Sequence, residues 1–366
     1  MIERHIIFIL IILLFPSFCR ADSFTDKFSL ESAHGVLSIG DSIRSGVIVG
    51  QDSWDWLFQT DGYHKYLATG KGNVLRSMIK DTIVLAFSPD KSVEADDFLH
   101  QTPEANDYKA VMNKNICTLS RRRDEALRFM AETDFTALLS KANQLVRNYL
   151  PQKAVTEKVS LNNLYLICTI PDASVRGHSV LLDLNMAMDM TQEEIVRLLA
   201  HEFFHNYREA TLAHEPKDSF WKIFNCFEDE GIADLIDKGD HPETMYTRYG
   251  ESFKTLYLNE YRNSFCTLQK LDSLLTIFMS EPAEGEYAPV ADLLVFNGHP
   301  TGFYMTRLIR EEGLEKKLIQ VFDSPAAFVE LYNKAALRKN SRGGTEYIFS
   351  KDMLIHLNKA EKSIAH

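Results

Sequence analysis

Two histidines four residues apart, His201 and His205, with Glu202 directly after the first, stand in "RLLAHEFFHNYREA" (197–210). Positions four apart lie one above the other on a helix, so both imidazoles can point at one cation. Glu202 falls about 100° further round the helix. That puts it beside such an ion rather than on it, where a carboxylate can take a proton from a metal-activated water. The motif is short, and two surface histidines on an ordinary amphipathic helix would look the same. A catalytic zinc also needs a third protein ligand and an open fourth position. The extended H-E-x-x-H-x-x-G-x-x-H pattern does not supply it, because Arg208 replaces the glycine and Thr211 the last histidine.

"NCFEDEGIADLID" (225–237) offers the missing ligand. Ile232, Leu235 and Ile236 make one helical face apolar, while Glu230 and Asp234, four apart, share another. Glu230 can be the third ligand. Asp234, one turn on, can accept the N–H of a ligand histidine and fix its tautomer. Gly231 and Ala233 are small enough to let two helices approach closely. Glu228 is the rival ligand, but it faces nearly the opposite side, and its partner one turn on, Ile232, cannot orient a histidine. His214, in a turn before Pro216, reads as a surface histidine.

The elements around these residues can be read as well. Thr191 and Glu194 form a T-x-x-E capping box, so the helix starts there and places HEFFH well inside it. "LYLICTI" (164–170) and "HSVLLDLN" (178–185) are apolar, strand-like runs joined by the turn-rich "PDASVRG". The second run is expected to be the sheet edge that lines a substrate. Upstream, residues 24–46 look helical with a break near Gly40, and "GQDSWDWLFQTDGYHKY" (50–66) packs helices together. "DTIVLAFS" (81–88) fits a strand or a buried helical turn, and 119–150 keeps helical spacing until Pro151. From 253 onward the pattern is almost wholly helical, with an exposed loop at 339–346. The expected organisation is a mostly helical region at 22–150, a core with both site helices at 151–240, and a helical C-terminal lobe at 241–366. The fold class is α+β, dominated by helix.

"HEFFH" followed by "EDEGIAD", with 24 residues between His205 and Glu230, resembles the gluzincin superfamily of zinc peptidases. Those proteins carry HExxH on one helix and E-x-x-x-D on a second. More narrowly, the chain resembles an uncharacterised bacterial family of zinc-dependent peptidases, also through "GHPTGFYMTRLI" (298–309). The likeness spans about 150 residues. It implies a zincin-like fold in which a small sheet supports the HExxH helix and a helical lobe closes the cleft. It implies one Zn²⁺ held by His201, His205 and Glu230, Glu202 as general base, Asp234 behind the ligands, and a peptide or protein substrate. Gluzincins use a Tyr or His of the C-terminal lobe to stabilise the oxyanion, which points to His299 and Tyr304, with Tyr207 and His241 weaker. Tyr304 could equally pack in the core of its own helix beside Phe303 and Met305. "NMAMD" (185–189) lacks the glutamate with which related exopeptidases grip an amino terminus, and Asp229 stands where the best-known endopeptidases have Asn. The choice between endo- and exopeptidase stays open.

The net charge of −11 argues against a nucleic-acid partner. Apolar residues at 45% and charged residues at 25% describe a globular chain. Arg4, the apolar run Ile6–Phe15 and the small residues after it form a signal-peptide pattern over 1–21 with a cut after Ala21. A secreted or periplasmic protein with no stable membrane span is expected; Phe18 disfavours Cys19 as a lipidation site. Cys117, Cys168, Cys226 and Cys266 then remain, as one or two disulfides or as free thiols. Two other functions compete: hydrolysis of a non-peptide amide or ester, and a non-catalytic binding module. An intact Glu202 argues against the module, which has no use for a base beside the metal.

Overall fold

The computed structural model describes residues 27–363, apart from 70, 105, 153, 155–162, 212–215, 240–249 and 281–286. The N-terminal segment 1–26, with Cys19 and Ala21, and also His214 and His241, lie outside the described residues. Strand β1 (Phe28–Ser29) leads into helices α1 (Glu31–Arg44), α2 (Gln51–Gln59), α3 (Asp61–Leu67), α4 (Gly72–Phe87), α5 (Ser92–His100), α6 (Tyr108–Arg121), α7 (Arg123–Glu132) and α8 (Phe135–Val146). Strands β2 (Asn163–Ile167), β3 (Ala173–Val175) and β4 (Ser179–Asp183) follow. Next come α9 (Leu184–Met188), α10 (Gln192–Thr211), α11 (Ser219–Asp237) and α12 (Glu251–Ser280). The chain continues with α13 (Ala288–Ala291), α14 (His299–Glu311), α15 (Glu315–Gln320), α16 (Pro325–Asn340) and α17 (Lys351–Lys362). The fold is α+β and dominated by helix.

One local reading changes, and another is decided between its two alternatives. Gly40 does not break α1, which runs through it; a Cβ there would lie 2.4 Å from the Phe87 ring, so the glycine makes room for an aromatic side chain. "DTIVLAFS" is the end of α4, its apolar residues buried because the helix packs on both α1 and α6.

The sheet has the order β1-β2-β4-β3, with β1, β2 and β4 parallel and β3 antiparallel to β4. The strand expected at the substrate edge is therefore an interior one. Every residue of β4 is buried, and it is paired on both sides. Its unbroken apolar run is the mark of a strand covered on both faces. The edge is β3, taken from the stretch that reads as a turn, and half-buried throughout. Gly177 and His178, both at positive φ, make the two-residue loop between β3 and β4, with Arg176 and Ser179 exchanging backbone hydrogen bonds across it.

The sheet carries α10 on one side of the cleft. The capping box forms as the sequence suggests: Glu194 Oε2 accepts from Thr191 N at 2.7 Å, and Thr191 Oγ1 accepts from Glu194 N at 3.3 Å. α11 packs on α10 and crosses α14 at very short range. A Cβ on Gly231 would lie 2.4 Å from the Gly302 carbonyl oxygen, and one on Gly302 would lie 2.3 Å from that of Phe227. Thr306 Oγ1 donates to Gly231 O at 2.8 Å across the same joint. Backbone cannot yield as a side-chain tip can. Gly302→Ala is thus expected to force α14 off α11 and cost at least the ~1–3 kcal/mol of an overpacked core. A thermal melt checks this; an unchanged midpoint would mean the crossing is looser than described.

Cys117, Cys168, Cys226 and Cys266 are free thiols, with Cys117 and Cys168 buried. Burial pushes the Cys117 thiol up to about 11. Among the described residues no helix is long and apolar enough to cross a membrane.

Candidate metal centre

The middle of α10 presents His201, Glu202 and His205 to a cavity of about 280 Å³, which Glu230 of α11, His299 of α14 and the edge residues Asp172–Arg176 also line. His201 Nε2 and His205 Nε2 are 3.2 Å apart. Glu230 Oε2 lies 3.3 Å from His205 Nε2 and 3.9 Å from His201 Nε2. Bonds of about 2.0–2.2 Å in a tetrahedral zinc site separate neighbouring ligand atoms by roughly 3.3–3.5 Å, so these three donors suit that ion. Glu230 Oε2 is buried and faces the ring nitrogens of His299 and His205, 3.1 and 3.3 Å away. Burial works to raise the Glu230 carboxyl, but the imidazoles of His299, His205 and His201 outweigh it and hold it well below the usual range. A buried anion with convergent nitrogen and oxygen donors fits a dication.

The groups behind the donors differ from expectation. Asp234, expected to orient a ligand histidine, accepts from His299 Nδ1 at 2.8 Å, while His201 Nδ1 is 3.7 Å away. The carboxylate nearest His201 Nδ1 is Asp237, at 3.2 Å. His205 is held by Asp229, whose Oδ1 lies 2.9 Å from Nδ1. Lys238, itself buried, bonds both Asp234 and Asp237. Burial alone would lift the Asp237 carboxyl, yet Lys238 and His201 bring it down to about 2. On α11 the four acids follow the helix repeat at 230, 234 and 237 with 229 alongside, a pattern the sequence carries beyond E-x-x-x-D.

The rival Glu228 points elsewhere. It is fully buried and pairs with Arg208 Nη2 at 2.9 Å, and the same guanidinium donates to Asn225 and to the Phe322 carbonyl. Tyr304 is also outside the site. Its hydroxyl donates to Glu346, its ring meets Tyr261 edge-on, and it lines no part of the cavity. Being one and a half turns beyond His299 on α14, it faces the helical lobe rather than the cleft. Tyr207 is buried within α10.

Two site residues have no clear sequence signal. Asn297 donates to Glu230 Oε1 at 2.5 Å. It does so from a left-handed stretch, Phe296 (φ 47°), Asn297 (φ 53°) and Gly298 (φ 93°), that turns the chain sharply into α14 and aims His299 at the cleft. Two consecutive non-glycine residues in that region are strained, and Asn297 is held there by the carboxylate it binds. The other is Asp172, just before β3. Burial, then the charge of Glu202, pushes its carboxyl up to about 7. With a native pKa above the unfolded one, Asp172 carries more proton when folded, so stability falls as pH rises from about 4 to 7. In zinc-free protein, Asp172→Asn is expected to raise the melting temperature at pH 8 and change it little at pH 4. An equal effect at both values would refute this.

A family model described as "Putative zinc dependent peptidase (DUF5700)" matches residues 54–341. The chain belongs to that family. The match takes in all of the cavity-lining residues named above and most of the N-terminal helices. No curated protein and no solved structure matches the chain.

Proposed function

We propose that the protein is a zinc-dependent peptidase whose single ion is held by His201, His205 and Glu230. The observation that carries this is the convergence of those three donors, from two helices, in one cavity with Glu202. Zinc there would supply a Lewis acid that acidifies a water and polarises a peptide carbonyl. The chain's own residues do the rest. Glu202, 6% exposed, takes the proton of the attacking water and passes it to the leaving amine. His299 keeps Nδ1 on Asp234, which turns Nε2 toward the cleft, 3.1 Å from Glu230 Oε2, where an N–H can meet the negative charge growing on the carbonyl oxygen. Opposing effects act on that imidazole: burial lowers its pKa, but Glu230 and Asp234 raise it above its ordinary value, which keeps the donor proton in place. β3, with one free edge, can pair with an extended peptide backbone. The apolar leader at 1–21 supports a secreted or periplasmic setting, which N-terminal sequencing of the mature protein checks; an intact Met1 would overturn it.

The deciding experiment is cleavage of a peptide library by purified protein, with and without a chelator, alongside measured zinc content. Chelator-sensitive cleavage supports the reading; a folded protein that takes up no zinc refutes it. Within it, His299→Ala should lower kcat about 10²–10³-fold, the usual effect of losing an oxyanion donor. Tyr304→Phe should leave kcat near wild type, because its hydroxyl serves Glu346. The reverse ranking would return the electrophile to Tyr304.

A further inference from the structure

Next to the metal centre lies a second cavity, of about 420 Å³, within the range of about 300–1,000 Å³ usual for small-ligand sites. Phe253 lines both cavities, and Pro171 in the wall of one is followed directly by Asp172 in the wall of the other. A peptide paired along β3, which begins at Ala173, would therefore run close to the wall that the two cavities share. α6 contributes one face, with Val111, Asn115 and Thr118 at helical spacing, and the start of α12 contributes Glu251, Ser252 and Phe253.

The polar groups of these walls are already engaged with one another. Asn115 Nδ2 donates to Thr169 O, and Asn185 Nδ2 to Asn115 Oδ1. Arg122 bonds Asn185 Oδ1 and pairs with Asp189. Thr118 Oγ1 donates to Lys114 O, Ser252 Oγ to Pro103 O, and Lys114 Nζ to Gln101 O; Glu251 pairs with Lys254. An occupant meets instead the carbon surfaces of Pro103, Val111, Pro171, Met186 and Phe253. The two carboxylates of the walls, Asp189 and Glu251, are 54% and 68% exposed to water, while the buried Asn115 and Asn185 are bonded to each other, so a charged side chain would lose water against the carbon surface without gaining a buried partner.

We propose that this cavity receives a large apolar side chain of the substrate, close to the bond being cut, and so selects peptides that carry one. The proposal rests on the peptidase reading. Its test compares peptides with Phe or Leu against Ala at each position around the cleaved bond. The zinc-loaded enzyme should prefer the large residue by at least about 10-fold in kcat/KM at one position, as a filled apolar pocket provides. Thr118→Trp and Ser252→Trp fill the cavity from two different helices, and each gives up only a side-chain bond to a backbone carbonyl. Each should drive the Phe/Ala ratio toward one with zinc content unchanged. If the wild type shows no such preference, or both variants keep it, the cavity is not a substrate pocket, although cleavage itself would uphold the peptidase reading. Binding of the same peptides to Glu202→Gln separates the two ideas. Apolar-selective binding that Thr118→Trp abolishes, without any cleavage by wild type, would keep the pocket and overturn the peptidase. Absence of both binding and cleavage would overturn both.

Discussion

Glu202→Gln is expected to yield a folded, zinc-loaded protein that cleaves peptides about 10²–10⁴-fold more slowly than wild type, as loss of a general base does. The substitution keeps the size of the side chain and its hydrogen-bonding reach but cannot accept a proton. Glu202 lines the cavity without joining the three convergent donors, so metal content should not follow activity down. Its neighbour Asp172 repels it; removing the charge relieves that repulsion, and the melting temperature should hold or rise. Zinc content, thermal melt and turnover measured on one preparation check all three. Wild-type turnover in Glu202→Gln would mean that the α10 motif does not perform the chemistry proposed.

Glu230→Ala is expected to leave the purified protein without zinc, and His201→Ala and His205→Ala likewise, since two ligands hold a tetrahedral ion poorly. Glu230 has a further role that makes its loss the most damaging: its other oxygen binds Asn297, which keeps the left-handed entry to α14 in place. Glu228→Ala is the informative contrast. It removes the carboxylate nearest the buried Arg208 guanidinium and leaves that charge only Asn225, the Phe322 carbonyl and Asp229 at 3.9 Å; breaking a buried pair costs up to about 3–5 kcal/mol, yet the ion should stay. Metal analysis and a melt separate the two outcomes, one variant losing zinc and the other stability. Stoichiometric zinc in Glu230→Ala would refute the ligand assignment.

Much of the site can be read from the sequence because it obeys helix periodicity. His201 and His205, and Glu230 and Asp234, are four apart, and a capping box sets the start of α10. What cannot be read depends on contacts between elements. Which acid holds which imidazole is fixed by how α11 sits against α10 and α14, and spacing alone does not say which histidine Asp234 meets; in the structure its closest is His299. Asn297 and Asp172 belong to irregular segments with no period to follow. Tyr304 has a plausible residue type but lies on the wrong face of α14, and His299 reaches the cleft only because of a turn with two strained residues. β3 looks like a loop because three half-buried residues give too short an alternation, whereas the more obvious apolar run proved interior for the very reason that makes it obvious.

The glycine crossing of α11 and α14 has a thermodynamic consequence. Before those helices meet, an unfolded or half-folded chain offers a cation only the local pair on α10, a weak site with two donors. Glu230 comes into register when α11 docks on α10, and the Gly231–Gly302 contact then brings Asn297 to its second oxygen. If His201, His205 and Glu230 hold the ion as proposed, strong metal binding is confined to the completed native state, and a ligand that binds only that state stabilises it by mass action, by about 2.7 kcal/mol at a free concentration one hundred times its Kd. On that proposal, the metal supply around the protein would set part of its folding equilibrium as well as its capacity for chemistry.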